Sequence, residues 1–358
     1  MAGAGPAGTT ASRILSHEGL SVTLIEKNGP PRDKVCGGLL TGPCLDRIRR
    51  IFGDLPPKEA RQEPENLGIF LIPPSGGGNG FVVPGERLMN SKRRELDMWL
   101  CDSALGSGAD LIKDSAVTDF RETADGVIVK VTGGKGDLSI EADCLVGADG
   151  VHSAVRGRIG RRAAEHLVIY GQQYFVSAKP VEENFHMVYD GNISPAYSYF
   201  LPKGDMICLG VGVLSRKAPN LLTGMRRLSG MILRDFGPVL GKPDRREGFP
   251  APFGGIFLGK GRVLLVGDAA GFCNPLTGEG IGYAVATGEA AARAIIANRS
   301  NSLDVYSKSV NGLAAEVEEM VRQTLLMDND ERERRVAARR RHAAELRSRS
   351  AQGPKASS

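Results

Sequence analysis

Residues 1–26 read MAGAGPAGTTASRILSHEGLSVTLIE and predict a dinucleotide-binding unit. Gly3, Gly5 and Gly8 form the pattern GxGxxG, whose glycines permit a sharp turn, a close approach to a pyrophosphate and close helix packing. Apolar residues at helical spacing follow, and then an apolar strand that ends in Glu26. A carboxylate there accepts hydrogen bonds from ribose hydroxyls and repels a 2′-phosphate. The stretch favours FAD or NAD over NADP, but the strand that should precede its turn is absent from the sequence.

A second glycine-rich stretch, Val266–Gly282, indicates that the bound cofactor is FAD rather than NAD. It follows an apolar strand and supplies Asp268, whose carboxylate can hold ribityl hydroxyls. Pro275 forms a turn, and glycines that include Gly278 and Gly280 open a helix. The N–H groups and dipole at such a helix N-terminus stabilise the negative charge of reduced flavin. An ordinary glycine-rich turn is the alternative interpretation.

The order of predicted elements gives an α/β fold with a discontinuous domain. We predict a Rossmann-type FAD-binding domain that lacks its first strand and carries an inserted antiparallel-sheet substrate domain. The sheet is predicted from alternating apolar residues between Leu167 and Leu214. The predicted parts are FAD-binding residues 1–66, 93–160 and 251–300, substrate-domain residues 67–92 and 161–250, a C-terminal helix at 301–330 and a basic tail at 331–358.

Composition predicts a soluble, cytoplasmic protein. The 358 residues are 41% hydrophobic, enough for a large core. No apolar run approaches the roughly 18 residues of a membrane span, and the N-terminus lacks the pattern of a secretory signal. Six cysteines without CxxC spacing predict neither disulfides nor a zinc or other metal site.

Charge is concentrated at the C-terminus. Residues 331–358 hold eight Arg and one Lys against three Glu, while the whole chain has a formal net charge of +5. The tail has no aromatic residues, so nucleic-acid binding is not predicted. A solvated, partly helical, frayed tail is the simpler interpretation. A peripheral contact with an anionic membrane is the alternative, at roughly 1 kcal/mol per basic residue.

Three motifs resemble the FAD motifs of the para-hydroxybenzoate hydroxylase-like superfamily: GAGPAG at 3–8, GADGVHSAVR at 147–156 and GDAAGFCNPLTGEG at 267–280. The resemblance spans most of residues 3–300. Within that superfamily, PRDKVCGG at 31–38, YSYFLPK at 197–203 and PLTGEGIGYA at 275–284 most resemble the geranylgeranyl reductase family. This resemblance implies an FAD enzyme that saturates carbon–carbon double bonds of a hydrophobic prenyl substrate.

The resemblance also implies roles for single residues. Asp149 matches an acidic residue near the FAD pyrophosphate, Arg93 an arginine near the diphosphate, and Cys36 a cysteine beside the isoalloxazine ring. A small buried hydrophobe is the alternative for Cys36. We predict cofactor contacts for Gly3, Gly5, Pro6, Ala7, Gly8, Glu26, Lys27, Arg32, Cys36, Gly37, Gly38, Arg93, Val117, Asp149, Gly150, Ser153, Gly267, Asp268, Pro275, Gly278, Gly280 and Ile281, and catalytic roles for Cys36, Tyr197 and Tyr199.

Several alternatives stay open at this point. Related reductases carry Tyr-x-Trp-x-Phe-Pro at the substrate wall, whereas this chain has Tyr199 and Leu201 at the second and third of those positions. The substrate is therefore not fixed, and core packing explains the tyrosines as well. A monooxygenase that hydroxylates an aromatic or polyketide substrate and an inactive or truncated family member are the rival functions. A tryptophan-type halogenase is disfavoured because Trp99 is the only tryptophan. NAD(P)H or a ferredoxin is expected as transient electron donor, and the oligomeric state is left open.

Overall fold

The chain divides into two compact units. The computed structural model describes residues 1–134, 136–160, 167–176, 182–215, 220–237 and 240–351. The first unit comprises Met1–Arg61, Ser91–Leu167 and Pro250–Arg322, and the second comprises Gln62–Asn90, Val168–Phe249 and Gln323–Ser358. The domain boundary predicted at residue 161 and the end of the predicted tail, 352–358, lie outside the described residues.

The first unit combines parallel strands with helices. β1 pairs in parallel with β5, and β9 pairs in parallel with β16, which pairs antiparallel with β15. An antiparallel meander, β6–β7–β8, forms a separate sheet. The strands are β1 (Thr23–Glu26), β2 (Leu39–Thr41), β5 (Asp110–Lys113), β6 (Ser115–Glu122), β7 (Val127–Gly133), β8 (Gly136–Ala142), β9 (Leu145–Gly147), β15 (Gly259–Lys260) and β16 (Val263–Leu265), and the helices are α1 (Pro6–His17), α2 (Gly42–Phe52), α3 (Arg93–Leu105), α4 (Ala154–Arg158), α6 (Gly267–Ala270), α7 (Ile281–Ala297) and α8 (Ser302–Leu326).

Small residues bring α1 and α7 into backbone contact. Pro6 starts α1 at a position where its missing N–H costs no hydrogen bond. A Cβ atom added to Gly288 of α7 would lie only 2.3 Å from the carbonyl oxygen of Ala7 in α1. The helices α1 and α7, which begin at the first motif and just after the third motif, are therefore in direct contact.

The N-terminal residues lie between β1 and β9. Ala2 forms parallel bridges with Ile25 on one side and with Gly147 on the other. Within the described residues, Met1–Gly3 is the segment that pairs with both strands.

The second unit is built on one large sheet, which contains the order β14–β10–β13–β12–β11–β3–β4. Its pairs β10–β13, β13–β12 and β12–β11 are antiparallel, as predicted, whereas β11 and β3 are parallel. Phe200, Leu209 and neighbouring apolar residues of this sheet pack on Met225 and Leu228 of α5. The elements are β3 (Arg61–Ile72), β4 (Phe81–Ser91), β10 (Leu167–Val176), β11 (Asn184–Val188), β12 (Ser198–Lys203), β13 (Met206–Leu214), α5 (Leu221–Phe236), β14 (Arg245–Pro252) and α9 (Asn329–Ala351).

The described part of the C-terminal region is largely helical. The helix predicted at 301–330 is α8, which ends at Leu326, and the tail predicted to be partly helical and frayed forms α9 from Asn329 to Ala351. Arg332 anchors α9, because its buried guanidinium donates hydrogen bonds to the carbonyls of Pro195 and Ala196 at 2.6 and 3.0 Å. In the described part of the chain, no helix combines the length and apolar character needed to cross a membrane.

A buried carboxylate joins α2 to α7 and gives a pH-dependent prediction. Burial alone would raise the pKa of Glu289, but hydrogen bonds from Arg50, Arg293 and Arg47 lower it from 4.5 to about 2. The stabilisation is therefore present above pH 4.5 and is lost as pH falls toward 2. Because the three arginines are half-exposed, we expect Glu289→Gln to cost only about 1–2 kcal/mol at pH 7.

Urea unfolding at pH 7 and pH 3 measures this contribution. The difference in unfolding free energy between the wild type and Glu289→Gln should narrow at pH 3, because the wild-type carboxylate is then largely protonated in the unfolded state. A gap of the same size at both pH values would contradict the assignment of the stabilisation to the Glu289 charge.

Candidate functional site

The backbone of the N-terminal glycine turn is packed too tightly for side chains at Gly3 and Gly8. Gly3 has φ +102°, and a Cβ atom there would lie 2.4 Å from the carbonyl oxygen of Ala148. A Cβ atom on Gly8 would lie 1.9 Å from the carbonyl oxygen of Gly3. The helix that follows begins after Gly5 without a side-chain cap, so its first N–H groups are available to an anion.

Glu26 is buried at the end of β1 and faces this turn. Its Oε2 accepts a hydrogen bond of 2.7 Å from the backbone N–H of Ala4, and its Oε1 accepts one of 3.1 Å from Asn28. The Nε atom of Arg32 lies 3.5 Å from Oε2. The carboxylate is thereby fixed beside the glycine turn, where the sequence predicts a ribose.

A chain of alternating charges continues from Arg32 into α3. Arg32 Nη2 lies 3.3 Å from Asp97 Oδ2. The Nη2 atom of the buried Arg93 donates hydrogen bonds of 2.9 Å to both carboxylate oxygens of Asp97. Burial opposes the charge on Arg93, but Asp97 and the neighbouring Cys36 raise the pKa of Arg93 above its usual value. Arg93, predicted near the diphosphate, is thus engaged with Asp97 and Cys36 in this structure.

Cys36 lies in a tight loop beside that guanidinium. Its Sγ accepts a hydrogen bond of 3.3 Å from the N–H of Gly38, and the carbonyl of Gly38 is held by the N–H and the hydroxyl of Ser91. The thiol is half-buried. The loop therefore presents the thiol in a defined position next to a cation.

The second motif surrounds Asp149. Ser153 Oγ and the backbone N–H of Val155 donate to its two carboxylate oxygens. Burial raises the pKa of Asp149, and these hydrogen bonds oppose the rise. Arg156, next along the motif, donates to the carbonyls of Ala269 and Gly255, so its guanidinium joins the second motif to the third.

The third motif places Asp268 beside the start of α7. Lys34 Nζ lies 3.5 Å from its Oδ2, and a Cβ atom on Gly280 would lie 3.4 Å from its Oδ1. Gly280 is the N-cap of α7 and no side chain caps the helix. A carboxylate and a set of free helical N–H groups therefore lie together at this point.

Sequence reasoning missed three residues that shape this motif. Asn274 Oδ1 accepts from the N–H groups of Leu276 and Thr277 and thereby closes the turn around Pro275. Thr41 donates a 3.1 Å hydrogen bond to Glu279, whose pKa is raised by burial. The Asn-Pro dipeptide was a signal for the turn, but no local pattern in the sequence links Thr41 to Glu279.

The remaining predicted contacts fall into two groups. Most lie in the three motifs: Pro6 and Ala7 in the first turn of α1, Gly150 beside Asp149, Gly267 at the start of α6, and Gly278 and Ile281 around the start of α7. Two lie apart: the exposed Lys27 follows β1, and Val117 of β6 packs in the hydrophobic core.

These residues fit FAD. Two uncapped helix N-termini suit its pyrophosphate and the pyrimidine edge of its flavin. The buried carboxylate of Glu26 and the carboxylate of Asp268 suit the hydroxyls of its ribose and ribityl groups. All of these groups belong to the first unit.

The predicted tyrosines lie on one face of the sheet in the second unit. Tyr197 and Tyr199 are buried and stack with ring centroids 5.6 Å apart. The ring of Tyr199 lies directly over Gly210, which is its register partner on β13. A Cβ atom added to Gly210 would lie only 2.1 Å from Cζ of this ring. The Gln172 amide donates to the Tyr199 hydroxyl, and Tyr174 donates to Gln172 at 3.2 Å. This tyrosine face is opposite to the face that Phe200 presents to α5.

Removing the charge of Glu26 tests the ribose assignment. Glu26→Gln keeps the shape of the side chain but replaces one carboxylate oxygen by an NH₂ group, which repels the N–H of Ala4. We expect the Kd for FAD to rise about tenfold, as for the loss of one charge-assisted hydrogen bond. Fluorescence titration of FAD measures the change, and Glu18→Gln at the exposed end of α1 is the control. Equal affinities in the two variants would contradict the assignment.

Comparison with known proteins agrees with the geometry. The model of an FAD-binding domain family matches residues 1–204. Geranylgeranyl diphosphate reductase of Rhodobacter capsulatus is 30% identical over 313 residues, which cover 83% of this chain and 74% of that protein. Menaquinone reductase of Mycolicibacterium smegmatis is 29% identical, with 82% of this chain and 74% of the relative covered.

A solved structure shows the same fold. The geranylgeranyl bacteriochlorophyll reductase-like protein of Thermoplasma acidophilum superposes with a TM-score of 0.81 at 19% identity, covering 94% of this chain and 89% of that one. The predicted α/β fold and the prediction of FAD as cofactor are confirmed. The chain belongs to the geranylgeranyl reductase family of FAD-dependent oxidoreductases.

Proposed function

We propose that this protein reduces carbon–carbon double bonds in the prenyl chain of a hydrophobic substrate. The observation that carries the proposal is the tyrosine face of the second unit, in a chain whose first unit fits FAD. Tyr170, Tyr174, Tyr197 and Tyr199 bring four aromatic rings together on one face of a sheet. The relative named geranylgeranyl diphosphate reductase supports the same substrate class.

FAD, when bound, supplies the hydride for one carbon of the double bond. The chain's own residues would hold it: the N–H groups at the start of α1 bind its diphosphate, Glu26 its adenosine ribose, and Asp268 its ribityl chain. The free N–H groups at the start of α7 stabilise negative charge at the flavin edge. Lys34 Nζ, 3.5 Å from Asp268 Oδ2, would hold that carboxylate in position.

The other carbon requires a proton, and we assign its donation to Tyr199 with Tyr197 and Cys36 as the other candidates. Gln172 donates a hydrogen bond to the Tyr199 oxygen and holds the phenol in position. Tyr174 orients Gln172 from behind. An isolated alkene develops carbocation-like charge as it is protonated, and the faces of tyrosine rings stabilise a cation.

Each reduced double bond consumes two electrons and two protons. The electrons come from an external donor, NAD(P)H or a reduced ferredoxin, which binds only transiently. Stopped-flow reduction of the flavin by NADH, NADPH and reduced ferredoxin identifies which of them serves.

Anaerobic single-turnover assays test the proposed reaction. Protein with photoreduced flavin is mixed with geranylgeranyl diphosphate, and the product is analysed by mass spectrometry. We expect the flavin to be reoxidised and the product to gain one pair of hydrogen atoms per reduced double bond. The variant Tyr199→Phe should slow this reoxidation and leave the flavin spectrum unchanged. Reoxidation without hydrogen gain would overturn it, and oxygen-dependent hydroxylation of an aromatic substrate would assign the protein to the monooxygenases instead.

We also propose that α9 holds the protein on anionic membranes, where prenyl lipids are found. Arg334, Arg335 and Arg339 are each at least 44% exposed on this helix, while Arg332 anchors it to the second unit. Leu326 is 78% exposed just before the helix begins. Sedimentation with phosphatidylglycerol vesicles should exceed that with phosphatidylcholine vesicles, and replacement of Arg334, Arg335 and Arg339 by glutamine should reduce the difference. Equal sedimentation with both lipids would refute the contact.

A further inference from the structure

A buried arginine of α9 lies against the segment of chain that leads into the tyrosine face. Residues 189–197 connect β11 to β12 and end in Tyr197. Arg332 is only 1% exposed, and its guanidinium donates hydrogen bonds of 2.6 and 3.0 Å to the carbonyls of Pro195 and Ala196. These are the two residues just before Tyr197, and all of them lie in the second unit.

The hydrogen bonds from Arg332 hold the backbone of Tyr197 from its N-terminal side. The carbonyl of Ala196 and the N–H of Tyr197 belong to one planar peptide group, and the carbonyl of Pro195 belongs to the group before it. Two successive peptide planes are thereby fixed. On its other side, the carbonyl of Tyr197 accepts a longer hydrogen bond of 3.3 Å from the N–H of Gly212. Arg332 therefore sets the direction in which the side chain of Tyr197 leaves the backbone.

The ring of Tyr197 is packed against two other rings of the tyrosine face. It stacks on Tyr199 with centroids 5.6 Å apart and meets Tyr170 edge-on at 5.9 Å. Side chains in a close-packed interior cannot move independently, because few voids are available to them. A rotation of the backbone at Tyr197 therefore also displaces the rings of Tyr170 and Tyr199.

The surroundings of Arg332 are unfavourable for a residue that only anchors a helix. Burial lowers the pKa of its guanidinium, whereas the nearby Tyr189 and Asp190 oppose this decrease. Two of its hydrogen bonds go to neutral carbonyls, and within the described residues its Nε–H has no hydrogen-bond partner. A well-packed apolar side chain would hold the helix with less loss of stability. Such local conflicts are expected at functional sites, which favours a task at the two carbonyls.

A second residue of α9 holds the same segment far from its tyrosine end. The side-chain oxygen of Asn329 accepts a hydrogen bond of 2.7 Å from the N–H of Gly191, and its NH₂ group donates one of 3.0 Å to Asp190. These contacts fix the start of residues 189–197, six positions or more before Tyr197. Asn329 therefore provides a control that loosens α9 without removing the bonds to the carbonyls of Pro195 and Ala196.

We propose that Arg332 is a positioning residue for the tyrosine face. Its guanidinium fixes the peptide groups before Tyr197 and, through them, the placement of the rings of Tyr197 and Tyr199 toward the substrate. The expected effect on the rate of reaction rests on the proposed prenyl reduction, whereas the expected effect on the rings does not. Lysine cannot replace this arginine, because a single ammonium group lacks the planar fork that reaches both carbonyls.

Fluorine NMR of protein that carries fluorotyrosine tests the positioning without any substrate. The chain has seven tyrosines, and Tyr197→Phe and Tyr199→Phe assign the two signals of interest. Both signals should shift or broaden in Arg332→Met and in Arg332→Lys and stay in place in Asn329→Ala. If Arg332→Met does not fold, Arg332→Lys decides. Unchanged signals in Arg332→Lys, or equal changes in Asn329→Ala, would overturn the proposal.

Transient kinetics of the holoenzyme separate positioning from a general loss of stability. Arg332→Ala should slow reoxidation of the flavin by geranylgeranyl diphosphate at least about tenfold, while the rate of flavin reduction by the donor stays the same. Ethylguanidinium should restore part of the lost rate, and sodium chloride at equal ionic strength should not. Equal slowing of both half-reactions, or an equal loss in Asn329→Ala, would contradict the positioning role. If the wild type leaves the prenyl substrate unreduced, the proposed function fails, and the NMR comparison still decides whether Arg332 positions the rings.

Discussion

Gly288→Ala is expected to lower the free energy of unfolding by about 3 kcal/mol, near the upper end of overpacking effects. The added methyl group would lie 2.3 Å from the Ala7 carbonyl oxygen, and the three nearest atoms all belong to the backbone of α1. No side chain can rotate to make room, so the two helices must move apart. Because α1 carries the glycine turn, we expect FAD affinity to fall together with stability.

The matched control is Gly312→Ala in α8. A Cβ atom there would meet nothing within 4 Å, and alanine is the better helix former. This variant should gain about 0.5–1 kcal/mol. Urea unfolding followed by circular dichroism measures both effects, and a loss at position 288 no larger than 0.5 kcal/mol would show that the two helices do not make this contact.

Asp97→Asn is expected to cost about 3–5 kcal/mol, because it leaves the buried guanidinium of Arg93 without a counter-charge. The side chains of Arg93 and Asp97 are 7% and 3% exposed. Asp97 also holds Arg32, which in turn contacts Glu26, so the loss should extend to FAD affinity.

An exposed pair of the same spacing provides the control. Lys308 and Asp304 in α8 are also four residues apart and lie 2.8 Å from each other, but their side chains are 76% and 47% exposed. Asp304→Asn should therefore cost no more than about 0.5 kcal/mol. Similar losses of unfolding free energy in Asp97→Asn and Asp304→Asn would contradict the role of burial. The double variant Arg93→Met with Asp97→Leu removes both charges and should be more stable than Asp97→Asn. Equal stability of these two variants would also contradict the prediction.

The sequence was most informative for short segments whose structure depends on neighbouring residues alone. The glycine turn, Glu26 at the end of β1 and the glycines before α7 could be predicted because their spacing reflects local backbone geometry. The class of fold and the cofactor followed from these stretches.

Contacts between distant residues could not be predicted in this way. The pairing of Thr41 with Glu279, and of Arg50 with Glu289, joins positions more than 200 residues apart, and nothing near either residue specifies its partner. The alternating pattern predicted the antiparallel sheet but not that β3 would pair in parallel with β11. Likewise, Arg332 of α9 reaches the carbonyls of Pro195 and Ala196, and the composition of the tail, which predicted partial helix, did not specify this contact.

The contact between α1 and α7 also has a consequence during synthesis. The glycine turn leaves the ribosome long before its packing partner, residues 281–297, has been made. Until then the apolar side of α1 lacks its cover, and a chain whose translation stops early exposes that surface to aggregation. Cofactor capture should therefore follow the synthesis of residues 281–297, and the cell has to shelter the incomplete chain throughout that interval.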